Sequence, residues 1–178
     1  TGNLTALTFE DELPNLQVIT APENPDIEEI NGLDKLPNLE SLSLWDTPSL
    51  KALSFTGSNK SLKYIYLSNS GVAVLEGLDT LPNLETLWAP DVGKLRSVRL
   101  SPVNAKLKDI ELSGSWLTSI EGLEKLPALE SLKLGTLGNG PKKLTLPEDV
   151  KFTQLWGGRM EITHVKRPSV GKPHEEND

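Results

Sequence analysis

The 178-residue chain contains no cysteine and two histidines, His164 and His174. Without thiols there is no disulfide framework, no zinc–thiolate site and no cysteine nucleophile, and the usual clue to redox compartment is missing. No Ser/His/Asp arrangement, metal-ligand spacing or phosphate-cradling glycine loop is present, so neither catalysis nor a cofactor is expected. Cations are outnumbered: 18 Lys and Arg stand against 25 Asp and Glu, a formal net charge of −7. Nothing resembles the basic stripe that would neutralise nucleic-acid phosphates, and the same balance disfavours docking on an anionic membrane. No apolar run approaches the length of a membrane-spanning helix, so no membrane insertion is expected. The chain opens at Thr1 with neither methionine nor an apolar leader, as expected of a processed form or a segment of a longer protein. Asn3 and Asn59 head N-x-Ser/Thr triplets, which matter only in a eukaryotic secretory pathway.

Hydrophobic content is modest at 37% and dominated by leucine, as in repeat proteins whose coils each add a thin slice of core. GLDKLPNLESLSL from Gly32 returns as GLDTLPNLETLWA from Gly77 and as GLEKLPALESLKL from Gly122, each copy 45 residues after the last. So regular a period marks a repeat architecture. Finer matching resolves the unit into two coils of 22 or 23 residues, with strand starts at Leu16, Leu39, Leu62, Leu84, Leu107, Leu129 and Phe152. The segments read LQVITA, LESLSL, LKYIYL, LETLWA, LKDIEL, LESLKL and FTQLWG. Positions one, four and six hold the inward groups, apart from Gly157 closing the last. Each coil re-enters in the same direction, so the seven strands are parallel, with neighbours about 4.8 Å apart.

The return segments alternate between two kinds. One carries a Gly-Leu pair and ends at a Leu-Pro corner, over Ile27 to Pro37, Val72 to Pro82 and Leu117 to Pro127. It reads as a short turn of helix. The other holds Leu50, Leu53 and Phe55, then Leu95, Val98 and Leu100, and fits either extended chain or 3₁₀ turns. Leu4, Leu7 and Phe9 form a partial return segment ahead of the first strand. At the far end, Gly157-Gly158 between two β-like runs predicts a hairpin over 152–165, with Arg159 to Val165 folded back antiparallel on the last strand and Lys166, Arg167 and Pro168 blocking further pairing. One domain over 1–167 is expected, followed by a disordered tail or linker over 168–178.

The L-x-x-L-x-L segment every 22 or 23 residues resembles the leucine-rich repeat family, from about Leu4 to Trp156. The I-x-x-I-x-G-L-x-x-L-P-N-L version is similar to bacterial internalin-type repeats. The resemblance implies an α/β class: a curved solenoid with a seven-stranded parallel sheet on its concave face and short 3₁₀ or extended segments on its convex face. It also implies a secreted or cell-surface adhesion module, with a cytoplasmic protein as the alternative. The family places Asn or Cys at the ninth position, to bond the backbone of adjacent coils. Here that position holds Asn24, Thr47, Ser70, Val92, Ser115 and Leu137. Thr47-Pro48-Ser49-Leu50 also echoes the repeats of plant intracellular receptors.

Positions two, three and five point outward on a parallel sheet. Position two runs Gln17, Glu40, Lys63, Glu85, Lys108, Glu130 and Thr153, alternating in sign from Glu40 to Glu130. That row reads as a solubilising, register-fixing ladder in which Lys63 and Lys108 each sit between two glutamates. Position five holds Tyr66, Trp88, Glu111, Lys133 and Trp156, and position three holds Tyr64 and Asp109. Tyr64, Tyr66 and Trp88 are expected to form an aromatic patch bordered by Asp109 and Glu111, with Trp45 at the rim. Such a group is typical of a binding hot spot, although aromatics also simply suit strands. Trp116, where the matching coil has Gly71, is either a local plug or a rim contact. The expectation is a monomeric protein-binding module. Carbohydrate binding through the same aromatics and a purely structural spacer are the rival readings.

Overall fold

The computed structural model describes residues 4–136, 143–154 and 161–167. The strands, in chain order, are β1 (Ala6–Thr8), β2 (Val18–Thr20), β3 (Glu29–Asn31), β4 (Ser41–Ser43) and β5 (Ala52–Ser54). Then come β6 (Tyr64–Tyr66), β7 (Val74–Glu76), β8 (Thr86–Trp88), β9 (Ser97–Arg99) and β10 (Asp109–Ser115). The last five are β11 (Ser119–Glu121), β12 (Ser131–Thr136), β13 (Lys143–Pro147), β14 (Lys151–Gln154) and β15 (Glu161–Val165). The even-numbered strands form one seven-stranded parallel sheet in the order β14-β12-β10-β8-β6-β4-β2. The odd-numbered strands, on the return limbs, pair two by two: β1 with β3, β5 with β7, β9 with β11 and β13 with β15, all parallel. The molecule is a parallel β-solenoid of about seven turns.

Leucine spacing produces this wrap directly. Positions one, four and six of the repeated segment point inward, so Leu39, Leu42 and Leu44 are buried together, as are Leu62, Ile65 and Leu67, then Leu84, Leu87 and Ala89. The return limbs add Leu53 and Phe55, Leu75 and Leu78, and Val98 and Leu100 from the other side, closing one continuous core. Each buried leucine contributes roughly 1.5–3 kcal/mol relative to exposure, so the stack is held chiefly by apolar burial.

The Gly-Leu pairs explain why the motif repeats every second coil. Gly32, Gly77 and Gly122 have φ of 80°, 75° and 87°, and each opens a 3₁₀ turn, Leu33–Lys35, Leu78–Thr80 or Leu123–Lys125. A Cβ at Gly77 would lie 2.0 Å from the Phe55 carbonyl oxygen of the preceding coil, so only glycine permits both the left-handed turn and the close stacking. Pro37, Pro82 and Pro127 follow and stop the turn after three residues. No α-helix occurs among the described residues. The expected α/β class therefore gives way to a β class with 3₁₀ corners, because a 22-residue coil spends its length on two strands and two bends. The second kind of return limb is extended, as β5 and β9. The N-terminal partial limb exists as β1, with Leu7 and Phe9 packed against the core.

Two expectations for the C-terminal end are corrected. Phe152 pairs opposite Leu132 and so takes the fourth position of its strand, not the first. The antiparallel hairpin over 152–165 is absent as well: β15 runs parallel to β13, with Leu144 opposite Ile162 and Leu146 opposite His164. The run KLTLP at 143–147, overlooked in the repeat reading, buries Leu144 and Leu146 and forms a return limb of its own. It thereby offers β15 an edge in the same direction as every other return pair. The Gly157-Gly158 turn, Arg159 and the 168–178 tail lie outside the described residues.

Candidate functional site

On β4, β6 and β8 of the long sheet, positions three and five are exposed or half-buried while position four is buried, as alternation requires. Tyr64 and Tyr66, two residues apart on β6, point the same way and stack with centroids 6.4 Å apart and planes 18° apart. Trp88 follows on β8, opposite Tyr66 in register and 39% exposed. Tyr66 and Trp88 form one side of a depression of ≈ 210 Å³ that spans β6 to β12. Glu111 and Lys133 continue the position-five row on β10 and β12, and the position-three row Thr86, Asp109 and Ser131, aligned by the strand register, completes the lining.

Glu111 is not the open carboxylate expected from its position. It is 6% exposed, because its side chain folds along β10 to accept hydrogen bonds from the Ser113 amide at 3.1 Å and from the Ser113 hydroxyl. Lys133 lies 3.4 Å from the other Glu111 oxygen. The same ammonium also lies 5.4 Å from the Trp88 ring centroid, so Lys133 reaches from β12 across β10 to β8. A buried carboxylate is tolerated only when hydrogen-bonded and paired, and Glu111 is both. Asp109, by contrast, is exposed and makes no ion pair or side-chain hydrogen bond among the described residues.

Five of the expected site residues, Tyr66, Trp88, Asp109, Glu111 and Lys133, thus converge on one depression, and Tyr64 stacks beside it. Trp45 is 36% exposed just beyond β4 and does not line the depression. Trp156 lies outside the described residues. Trp116 is 48% exposed with the Arg96 guanidinium 5.5 Å from its ring centroid, so it is not a plug, and it does not line the depression. Thr86 and Ser131, which stand on either side of Asp109 in the outward position-three row, join the expected residues in the lining.

The charge ladder at position two is sparser than its alternation suggests. Among the described residues it closes one ion pair, Lys63 to Glu40 at 2.9 Å. The hydrogen bond to Glu40 holds the Lys63 ammonium above its ordinary pKa, partly opposed by desolvation. With both side chains more than a third exposed, the pair serves register more than stability.

The ninth-position residues also behave differently from expectation. Thr47 and Ser115 donate to their own coil, to the Leu44 and Leu112 carbonyls at 2.8 and 2.5 Å, while the buried Ser70 hydroxyl has no partner among the described residues. The coil-to-coil amides stand elsewhere. Asn59 donates to the Leu33 carbonyl at 2.6 Å, and Asn104 donates to the Leu78 and Leu81 carbonyls at 2.7 and 3.0 Å. Both are fully buried, so the Asn59 triplet is inaccessible in the folded chain. Their interval of 45 residues is the one signal that pointed to them.

The described residues contain no group of three or more His, Cys, Asp or Glu able to hold a metal ion. Among the described residues no helix is long and apolar enough to cross a membrane. Compared with protein-family models and with curated proteins, the chain has no match.

Proposed function

We propose that the solenoid is a leucine-rich repeat domain of the internalin-like kind and that it acts as a non-catalytic protein-recognition module, secreted or displayed on a cell surface, with a cytoplasmic setting as the alternative. The outer face of the long sheet, taken as the concave face, is its docking surface. One observation carries the reading: Tyr66 and Trp88 remain partly exposed side by side above a shallow depression instead of packing into the core. Aromatic side chains in such a place supply large contact area at little entropic cost. The apolar stack beneath holds them on short hydrogen-bonded strands, so the surface is preorganised.

A carbohydrate ligand is the second reading. Aromatic faces beside Asp109, Thr86 and Ser131 offer stacking and hydrogen bonding to a sugar ring. Tyr66→Ala and Trp88→Ala separate the two. Loss of protein capture in both, with capture kept by the return-limb variant Val74→Ser, supports protein recognition. Glycan-array signal lost in the same pair supports sugar binding. Binding that survives both substitutions eliminates this surface and leaves the solenoid as a spacer.

A further inference from the structure

We propose that the depression on the long sheet receives a basic side chain, lysine or arginine, of the protein partner; this rests on the recognition reading above and names its chemistry. The depression is lined by two carboxylates, Asp109 and Glu111, and one cation, Lys133. Its own charge is therefore negative, on a chain of net charge −7 that draws basic partners toward it.

Lys133 reports what the site prefers. Its ammonium is drawn from β12 across the width of β10 to rest 5.4 Å from the Trp88 centroid, with Glu111 at 3.4 Å. A ring face flanked by a carboxylate is a cation site, and the chain's own ammonium already uses it. That contact satisfies Glu111. Asp109, exposed in the same lining as Trp88, has no cation partner among the described residues. The Thr86 and Ser131 hydroxyls flank it in register and can accept further N–H donors.

Size and charge discriminate between ligands. At ≈ 210 Å³ the depression lies below the range of about 300–1,000 Å³ usual for whole small-molecule ligands, and suits one inserted side chain. An acidic side chain would meet two carboxylates against one ammonium, Lys133, which Glu111 already holds at 3.4 Å. A guanidinium or ammonium would meet Asp109, the Tyr66 and Trp88 rings and the two hydroxyls.

The test follows the indole N–H resonance of Trp88, assigned with Trp88→Phe, during titration with N-acetyl-lysine amide and N-acetyl-arginine amide. N-acetyl-norleucine amide and methyl glucoside are the controls. Either basic probe should shift the signal saturably at millimolar concentration, and the controls should not. Asp109→Asn should weaken the basic probe by about two- to fivefold, and Lys133→Met, which removes the competing ammonium, should strengthen it by about the same factor. Asp109→Ser repeats the first arm with a residue that equivalent positions already carry at Ser41 and Ser131.

The inference is overturned if norleucine or glucoside shifts Trp88 as strongly as the basic probes, if no probe binds, or if Lys133→Met weakens binding. Partner capture that still depends on Tyr66 and Trp88 while no basic probe binds would remove the basic-side-chain inference alone. Probe binding without such capture would remove the recognition surface instead.

Discussion

Asn59 and Asn104 are each fully buried and use both ends of the side-chain amide. The carbonyl oxygen accepts from a backbone N–H three residues back, Thr56 or Ser101, while the amide donates into the preceding coil. Cutting either to alanine removes two or more hydrogen bonds at once, although each carbonyl keeps a backbone donor of its own, at a cost of about 1–3 kcal/mol. Asn104→Ala should be the more damaging because its amide serves two carbonyls. Ser70 gives the opposite prediction. Its hydroxyl is buried without a partner among the described residues, so Ser70→Ala should leave stability unchanged or raise it by up to about 1 kcal/mol. Urea unfolding midpoints for the three variants check the ranking, and a Ser70→Ala loss comparable to Asn59→Ala would refute it.

The elements are short, so their ends are secured by individual side chains. After β2, β4, β6 and β8 the chain turns through one residue of positive φ, Glu23, Asp46, Asn69 or Asp91, at 53°, 56°, 53° and 58°, and in β10 Gly114 has a φ of 72°. Four of these five are Asp, Asn or Gly, which tolerate that region best. At the C-terminal end Arg167 takes over the securing role. Its guanidinium donates to the Pro127 and Leu129 carbonyls at 2.7 and 2.8 Å and pairs with Asp149 at 3.0 Å. It thereby ties β15 to the coil before it, where the sequence had suggested only a stop signal. Arg167→Ala should lower the opening free energy of Glu161–Val165 by about 2 kcal/mol, leaving β4 to β8 unchanged. Amide exchange measured strand by strand tests this; equal effects across all strands would count against a local clamp. Arg167→Lys should behave like alanine, because a point charge cannot reproduce the fork.

At the scale of the whole molecule, each coil touches only its neighbours, and coils of two kinds alternate. Alternation is enforced because Asn59 and Asn104, on one kind, bond carbonyls at the 3₁₀ corners of the other. Removal of 60–104 joins Asn59 to Ala105, deletes one full 45-residue unit and keeps every contact in phase. The shortened chain should unfold cooperatively, with its urea m-value reduced by about a quarter. Removal of 60–81 excises one coil, breaks the alternation, and should yield a far less stable chain. Similar stabilities for the two deletions would show that the coils are interchangeable. The longer deletion also removes Tyr66 and Trp88, so it should fold without recognising a partner.

By itself the sequence determined the number of coils, the direction of the strands and the inward positions of all but the last, because leucines at fixed intervals admit one wrap. It also placed Tyr66, Trp88, Asp109, Glu111 and Lys133 on one outward face through strand alternation. Only the tertiary structure decided which of those groups meet. Glu111 lies down along its strand because Ser113 offers donors two residues on, and Lys133 crosses a neighbouring strand to reach Trp88. Neither choice is written in a period of 22 or 23. At the C-terminal end the pairing of β15 was decided by an edge, β13, whose two buried leucines lie outside the repeated phrase. Periodicity fixes what every coil shares; the contacts of a single coil depend on side chains brought together only when the stack has formed.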